Sequence, residues 1–150
     1  MDAHKQLATF LDRFTPEMAA LGRTLIDYFC SRLPNADALI FDNYNFMGVG
    51  FSANGKSSGV FISVVLYPRW ANLFFFKGAL MDDPADELTG DGAIIRHVRI
   101  DSIRDFEPTK LETLIGQAVA LSEPPVDTTR VGELRVHTVA ARQRPRRPPG

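Results

Sequence analysis

Val60-Phe61-Ile62-Ser63-Val64-Val65-Leu66-Tyr67-Pro68-Arg69-Trp70-Ala71-Asn72-Leu73-Phe74-Phe75-Phe76 is the stretch that decides the fold. It holds two runs rich in β-branched and aromatic residues, Val60–Leu66 and Trp70–Phe76. Such side chains suit a pleated, packed surface. The short gap between the runs predicts an antiparallel hairpin. In the first run, period two places Val60, Ile62, Val64 and Leu66 on one face and Phe61, Ser63, Val65 and Tyr67 on the other.

The same period continues upstream. From Ala38 onward the chain reads as strand, and Met47, Val49 and Phe51 alternate with Phe46, Gly48 and Gly50. The two glycines thin one face and open it to close approach by a backbone or ligand. Ala53–Gly59 is a polar turn. Earlier still the period is helical. Leu7, Phe10, Leu11 and Phe14 predict a short helix ending near Phe14. Thr15-Pro16-Glu17 starts a second, since Thr caps, Pro fits the first turn and Glu suits the positive dipole end. Met18, Leu21, Leu25, Ile26, Phe29 and Leu33 form its apolar stripe, and Pro34 stops it.

Downstream, Asp82-Asp83-Pro84-Ala85-Asp86-Glu87-Leu88 is an acidic loop with one helical turn expected at Pro84, and Thr89–Gly92 is a tight turn. Ile94–Ile100 predicts a strand. Asp105–Pro108 opens a last helix, with Leu111, Leu114, Ile115, Ala118 and Val119 along its stripe, that ends at Glu123-Pro124-Pro125. Leu134–Val139 has the composition of one further strand. Arg142–Gly150, all Arg, Pro, Gln and Gly, is expected to be disordered. The expectation is one α+β domain over residues 1–125, with an antiparallel sheet of about five strands packed by N- and C-terminal helices on one face. Residues 126–150 read as a weakly structured extension and basic tail.

The chain has 150 residues, enough for one ordinary domain with a core of its own. Residues 123–150 hold six Arg and three acids, net +3, whereas the remaining 11 basic and 15 acidic side chains give the body −4. One cysteine, Cys30, excludes an internal disulfide and a Cys-pair metal site. No apolar run approaches a membrane span and the first residues do not read as a secretory signal, so a cytoplasmic location is expected.

Catalytic motifs are missing. His4, His97 and His137 are dispersed, and neither HExxH, GxSxG nor a Walker loop occurs. Gly55-Lys56-Ser57 reads as a turn. Tyr67, Arg69 and Trp70 set a phenol, a guanidinium and an indole close together, as a pocket with few oriented polar groups requires. The same residues also suit a hairpin turn with boundary aromatics. Arg96 shares the parity of Ile94, Val98 and Ile100, which calls for a partner such as Asp83 or Asp91, or for service as an anion clamp. His97 then faces the opposite side.

Tyr67-Pro68-Arg69-Trp70, Leu73-Phe74-Phe75, Lys77-Gly78, Leu80, Asp83-Pro84, Leu88, Gly90, Gly92 and Arg96-His97, with Pro34 and Tyr44-Asn45 upstream, form an ordered set. Over residues 15–122 this set resembles the YdhG-like domain of unknown function. The resemblance implies a small α+β domain with an antiparallel sheet between terminal helices. It also implies a likeness to frataxin, and some members are regarded as iron chaperones. Frataxin-type iron binding uses an acidic ridge along the first helix and sheet edge. Here the second helix mixes Glu17 and Asp27 with Arg23 and Arg32, so the iron reading rests on Asp82, Asp83, Asp86, Glu87 and Asp91.

The leading functional expectation is a non-enzymatic module that binds a small ligand or a protein partner on the sheet face, without a cofactor. Tyr44, Asn45, Tyr67, Arg69, Trp70 and Arg96 are its candidate site. Iron delivery through the 82–91 loop and a purely structural or interaction role are the alternatives. No membrane partner and no specific nucleic acid is expected. Arg142, Arg144, Arg146 and Arg147 offer weak phosphate contact only.

Overall fold

The structure is a computed structural model that describes residues 2–149. Its first helix, α1 (Ala3–Leu11), is capped by Asp2, whose carboxylate accepts the Lys5 N–H at 2.8 Å. The second, α2 (Pro16–Arg32), is capped by Thr15, whose hydroxyl accepts the Met18 N–H at 3.3 Å. These caps satisfy N–H groups that a helix end leaves orphaned. Two hairpins follow, β1 (Asp37–Asp42) with β2 (Met47–Ser52) and β3 (Val60–Leu66) with β4 (Ala71–Phe75), then β5 (Arg96–Ile100), α3 (Pro108–Leu121) and β6 (Leu134–Val139).

The strands form one sheet in the order β5-β4-β3-β2-β1-β6. Every pairing is antiparallel except β1 with β6, which is parallel. The fold is therefore α+β, with a mostly antiparallel sheet of six strands. Pro84 starts no helix; a single turn lies there, and a short 3-10 turn forms earlier, at Gly78–Leu80.

One face of the sheet carries the core. Ile40, Met47, Val49, Phe51, Ile62, Val64, Leu66, Leu73 and Phe75 are all fully buried. They cluster with Leu7, Phe14, Leu21, Leu25, Ile26 and Phe29 from the first two helices and Leu111, Leu114 and Ile115 from α3. Each such side chain contributes roughly 1.5–3 kcal/mol on leaving water. Gly22 is what lets α2 approach β3, because a Cβ there would sit 2.5 Å from Leu66 Cδ1.

A bulge corrects the parity expected for β3. Phe51 pairs with Ile62 but Ser52 pairs with Val60, so Phe61 is the extra residue. Phe61 consequently joins the helix-side core, whereas Val60 turns to the opposite face beside Ser63 and Val65.

The C-terminal segment is the larger correction. β6 completes the sheet, and the Arg/Pro tail, expected to be disordered, is packed across one sheet end. Two buried carboxylates account for this, one at each end of β1. Asp37 accepts from Arg130 at 2.9 Å, from Arg135 at 2.7 Å and from the Glu133 N–H at 3.0 Å. Asp42, with no exposed surface, accepts from Arg146 at 2.9 Å, Arg13 at 3.1 Å and Gln143 at 2.8 Å. A buried carboxylate is tolerated only when paired and hydrogen-bonded. The basic residues beyond 125 supply that pairing, so the domain extends through residue 149.

Candidate functional site

The face of the sheet away from the helices carries a largely apolar cavity. Gly48 and Gly50 of β2 form its floor, opposite Val65 and Ser63 of β3. Phe41, Phe46 and Phe76 wall a cavity of about 270 Å³ over them, with Val60 and Val65. Ser57, Ser63 and Asn43 are its polar members. The glycines suit this packing, which leaves little room for a side chain. A Cβ on Gly50 would lie 3.2 Å from the Phe41 ring and 3.0 Å from Val60, and one on Gly48 would lie 3.1 Å from the Val64 carbonyl. The thinning of one face by these glycines is thus realised as a cup.

The cup runs on into an aromatic ladder. The Phe46 ring meets Tyr67 at 6.2 Å, and Tyr67 stacks on Trp70 at 4.8 Å with 23° between the planes. Arg99 lies over the Trp70 ring at 4.6 Å, a cation–π contact on the indole. Burial pushes the Tyr67 phenol above its ordinary pKa, so it stays neutral at physiological pH. Asn72 pairs across from Val65 and Arg99, and its buried Oδ1 has no hydrogen-bond partner. An acceptor left open in this way costs about 1–3 kcal/mol.

Of the six residues expected to form one site, five gather at one end of the sheet. Tyr44 and Asn45 sit in the β1–β2 turn, closed by the Asn43 N–H on the Phe46 carbonyl at 2.9 Å. Met47 pairs with Leu66, which brings that turn beside Tyr67, Arg69 and Trp70 in the β3–β4 turn. Arg96 does not join them. It pairs with Phe75, whereas Ile100 pairs with Ala71 next to Trp70. Four strand residues, about 13 Å, therefore separate Arg96 from that corner. Arg96 donates instead to the carbonyls of Gly92 at 2.5 Å and Ile95 at 2.9 Å. Its stem packs over Gly78, where a Cβ would meet Arg96 Cβ at 2.5 Å. Its role is to staple the 90–95 loop, and among the described residues it forms no ion pair with Asp83, Asp91 or any other carboxylate. His97 does face the other side, against Phe74 at 5.5 Å.

No family model, curated protein or solved structure matches the chain.

The acidic loop does not draw together. Both Asp83 oxygens accept backbone N–H groups, of Glu87 at 2.9 Å and Leu88 at 2.8 Å. Among the described residues no three His, Cys, Asp or Glu side chains converge as metal ligands, Asp82, Asp86 and Asp91 included. No helix among them is long and apolar enough to cross a membrane. Cys30 is half-buried against the core, and burial together with the nearby Asp27 pushes its thiol up in pKa. Such a thiol is a poor nucleophile.

None of the residues lining the cup was among the six assigned from the sequence, Ser63 and Phe41 included, nor was Arg99 beside the ladder. Ser63 and Arg99 carried a signal, since each shares strand parity with a residue already singled out, Val65 and His97. Phe41 had none, because only the tertiary path of β1 brings it over Gly50.

Proposed function

We propose that this protein is a non-enzymatic binding module that takes a small, mostly apolar molecule in the cup on the open face of the sheet. The observation that carries the reading is the cup itself. Three phenylalanines and two valines wall a glycine floor, and Ser57, Ser63 and Asn43 are the few polar groups beside it. Binding sites combine this kind of apolar lining with few polar groups that fix orientation. A half-open cavity of about 270 Å³ suits a ligand of two or three rings. The Phe46–Tyr67–Trp70 ladder extends the apolar surface beyond the cup, so a ligand there alters the surroundings of the chain's single tryptophan. Titration with the neutral fluorophore N-phenyl-1-naphthylamine tests this. Saturable one-to-one enhancement is expected, lost in Ser63→Phe, which fills the cup without touching the helix-side core. Enhancement that survives Ser63→Phe in a variant of unchanged melting temperature would overturn the reading.

A further inference from the structure

The tail makes a second cavity at the same sheet end. Ala140 donates to the Asp42 carbonyl at 2.8 Å and Arg144 to the Tyr44 carbonyl at 2.9 Å, so the strap runs past the β1–β2 turn. Arg146 is its anchor, buried on Asp42 and also donating to the Asn43 carbonyl at 2.6 Å. With Arg146 turned inward, Arg144 and Arg147 remain exposed on either side of it. Together with Pro68, Arg69 and Trp70 of the β3–β4 turn and Pro145 of the strap, they line a groove of about 380 Å³.

The charges in this groove are not balanced. Arg147 donates to the backbone carbonyls of Arg13 and Asp12, at 3.2 and 3.4 Å, and Arg144 lies over the Tyr44 ring at 5.7 Å. No carboxylate of a described residue lies within ion-pairing distance of Arg69, Arg144 or Arg147. Among the described residues no acid lines the groove either. Guanidinium groups bind phosphate oxygens in a two-pronged fashion. One carboxylate needs a single such partner, whereas a phosphate monoester presents three oxygens and a charge near −2. Prolines and the indole edge supply apolar walls for an organic body.

We propose that the groove between the β3–β4 turn and the C-terminal strap binds a small phosphate monoester of mononucleotide size. The site is separate from the cup and does not depend on the cup's being occupied. Adenosine 5′-monophosphate is the probe, titrated into the full chain and followed by Trp70 fluorescence and calorimetry, with ribose 5-phosphate and citrate in parallel. Saturable one-to-one binding of the two phosphates and weaker binding of citrate are expected. Arg69→Gln and Arg144→Gln are each expected to weaken it about tenfold, the loss of one charge-assisted contact. Arg69 lies on the hairpin and not on the strap, so its variant keeps the strap in place. Ser63→Phe should leave the affinity unchanged, which separates this site from the cup. No saturable binding, an affinity indifferent to Arg69→Gln, or binding confined to long oligonucleotides would overturn the proposal.

Discussion

Arg146→Ala is the most informative single change, because it removes the cation from the most deeply buried ion pair among the described residues. Arg146 and Asp42 are 5% and 0% exposed, and their contact is 2.9 Å. Removing one partner of a buried pair costs about 3–5 kcal/mol, since the remaining charge has lost its compensation. Asp42 keeps Arg13, whose side chain is 44% exposed, and Gln143. The expected cost is therefore at the low end, about 3 kcal/mol. For 150 residues that lowers the melting temperature by about 6–12 °C. It also moves the urea midpoint down by about 1–2 M at unchanged slope. Far-UV circular dichroism and Trp70 fluorescence should report one coincident transition. Arg142→Ala, in an exposed stretch of the same tail, is the control and should stay within about 0.5 kcal/mol of wild type. If Arg146→Ala moves the midpoint no further than Arg142→Ala does, the strap is not anchored as described.

Asp37 gives the domain an acid-sensitive component. Burial alone raises its carboxyl, but the Glu133 N–H and the Arg135 and Arg130 guanidiniums together hold it below its ordinary value. A group depressed in the folded state stabilises above its unfolded pKa of about 3.9, and that stability is lost as pH falls through the lower folded value. Urea midpoints at pH 7 and pH 3 should thus differ less in Asp37→Asn than in wild type, and equal differences would contradict the assignment. Two glycines should respond in opposite directions. Gly132→Ala drives a Cβ to within 1.9 Å of the Ala36 carbonyl and should cost about 2–3 kcal/mol through overpacking. Gly116→Ala, exposed in α3 with nothing within 4 Å, should gain about 0.8–1 kcal/mol from helix propensity. Thermal melts of the pair check both signs.

The sheet and helices were legible because their periods are local. Thr15-Pro16-Glu17 and Pro34 bracket α2, and the Leu134–Val139 composition marks β6 at its observed bounds. The bulge at Phe61 was not legible, because it arises from pairing with β2 and leaves the alternation of the sequence intact. The tail was misread for a related reason. Arg142–Arg147 cannot build a core from its own residues, but an arginine can be buried where a carboxylate waits. Asp42 looks like any strand-end aspartate until β1 is placed between β2 and β6. Tyr44 and Asn45 entered through the resemblance, and the structure brings them beside Tyr67, Arg69 and Trp70 because the two turns close neighbouring hairpins at one sheet end. Arg96 was mistaken because strand parity fixes which face a residue takes and says nothing of its distance along the strand.

The cup on the open sheet face is proposed to hold a ligand. Amide shift mapping by two-dimensional nuclear magnetic resonance, during titration with N-phenyl-1-naphthylamine, tests it most directly. Saturating shifts are expected, confined to Gly48, Gly50, Ser63, Val65 and the neighbouring Phe46 and Trp70 signals. Shifts scattered over the helices, or centred on Leu80, Ile94 and Ile95 with the glycine signals unmoved, would contradict it.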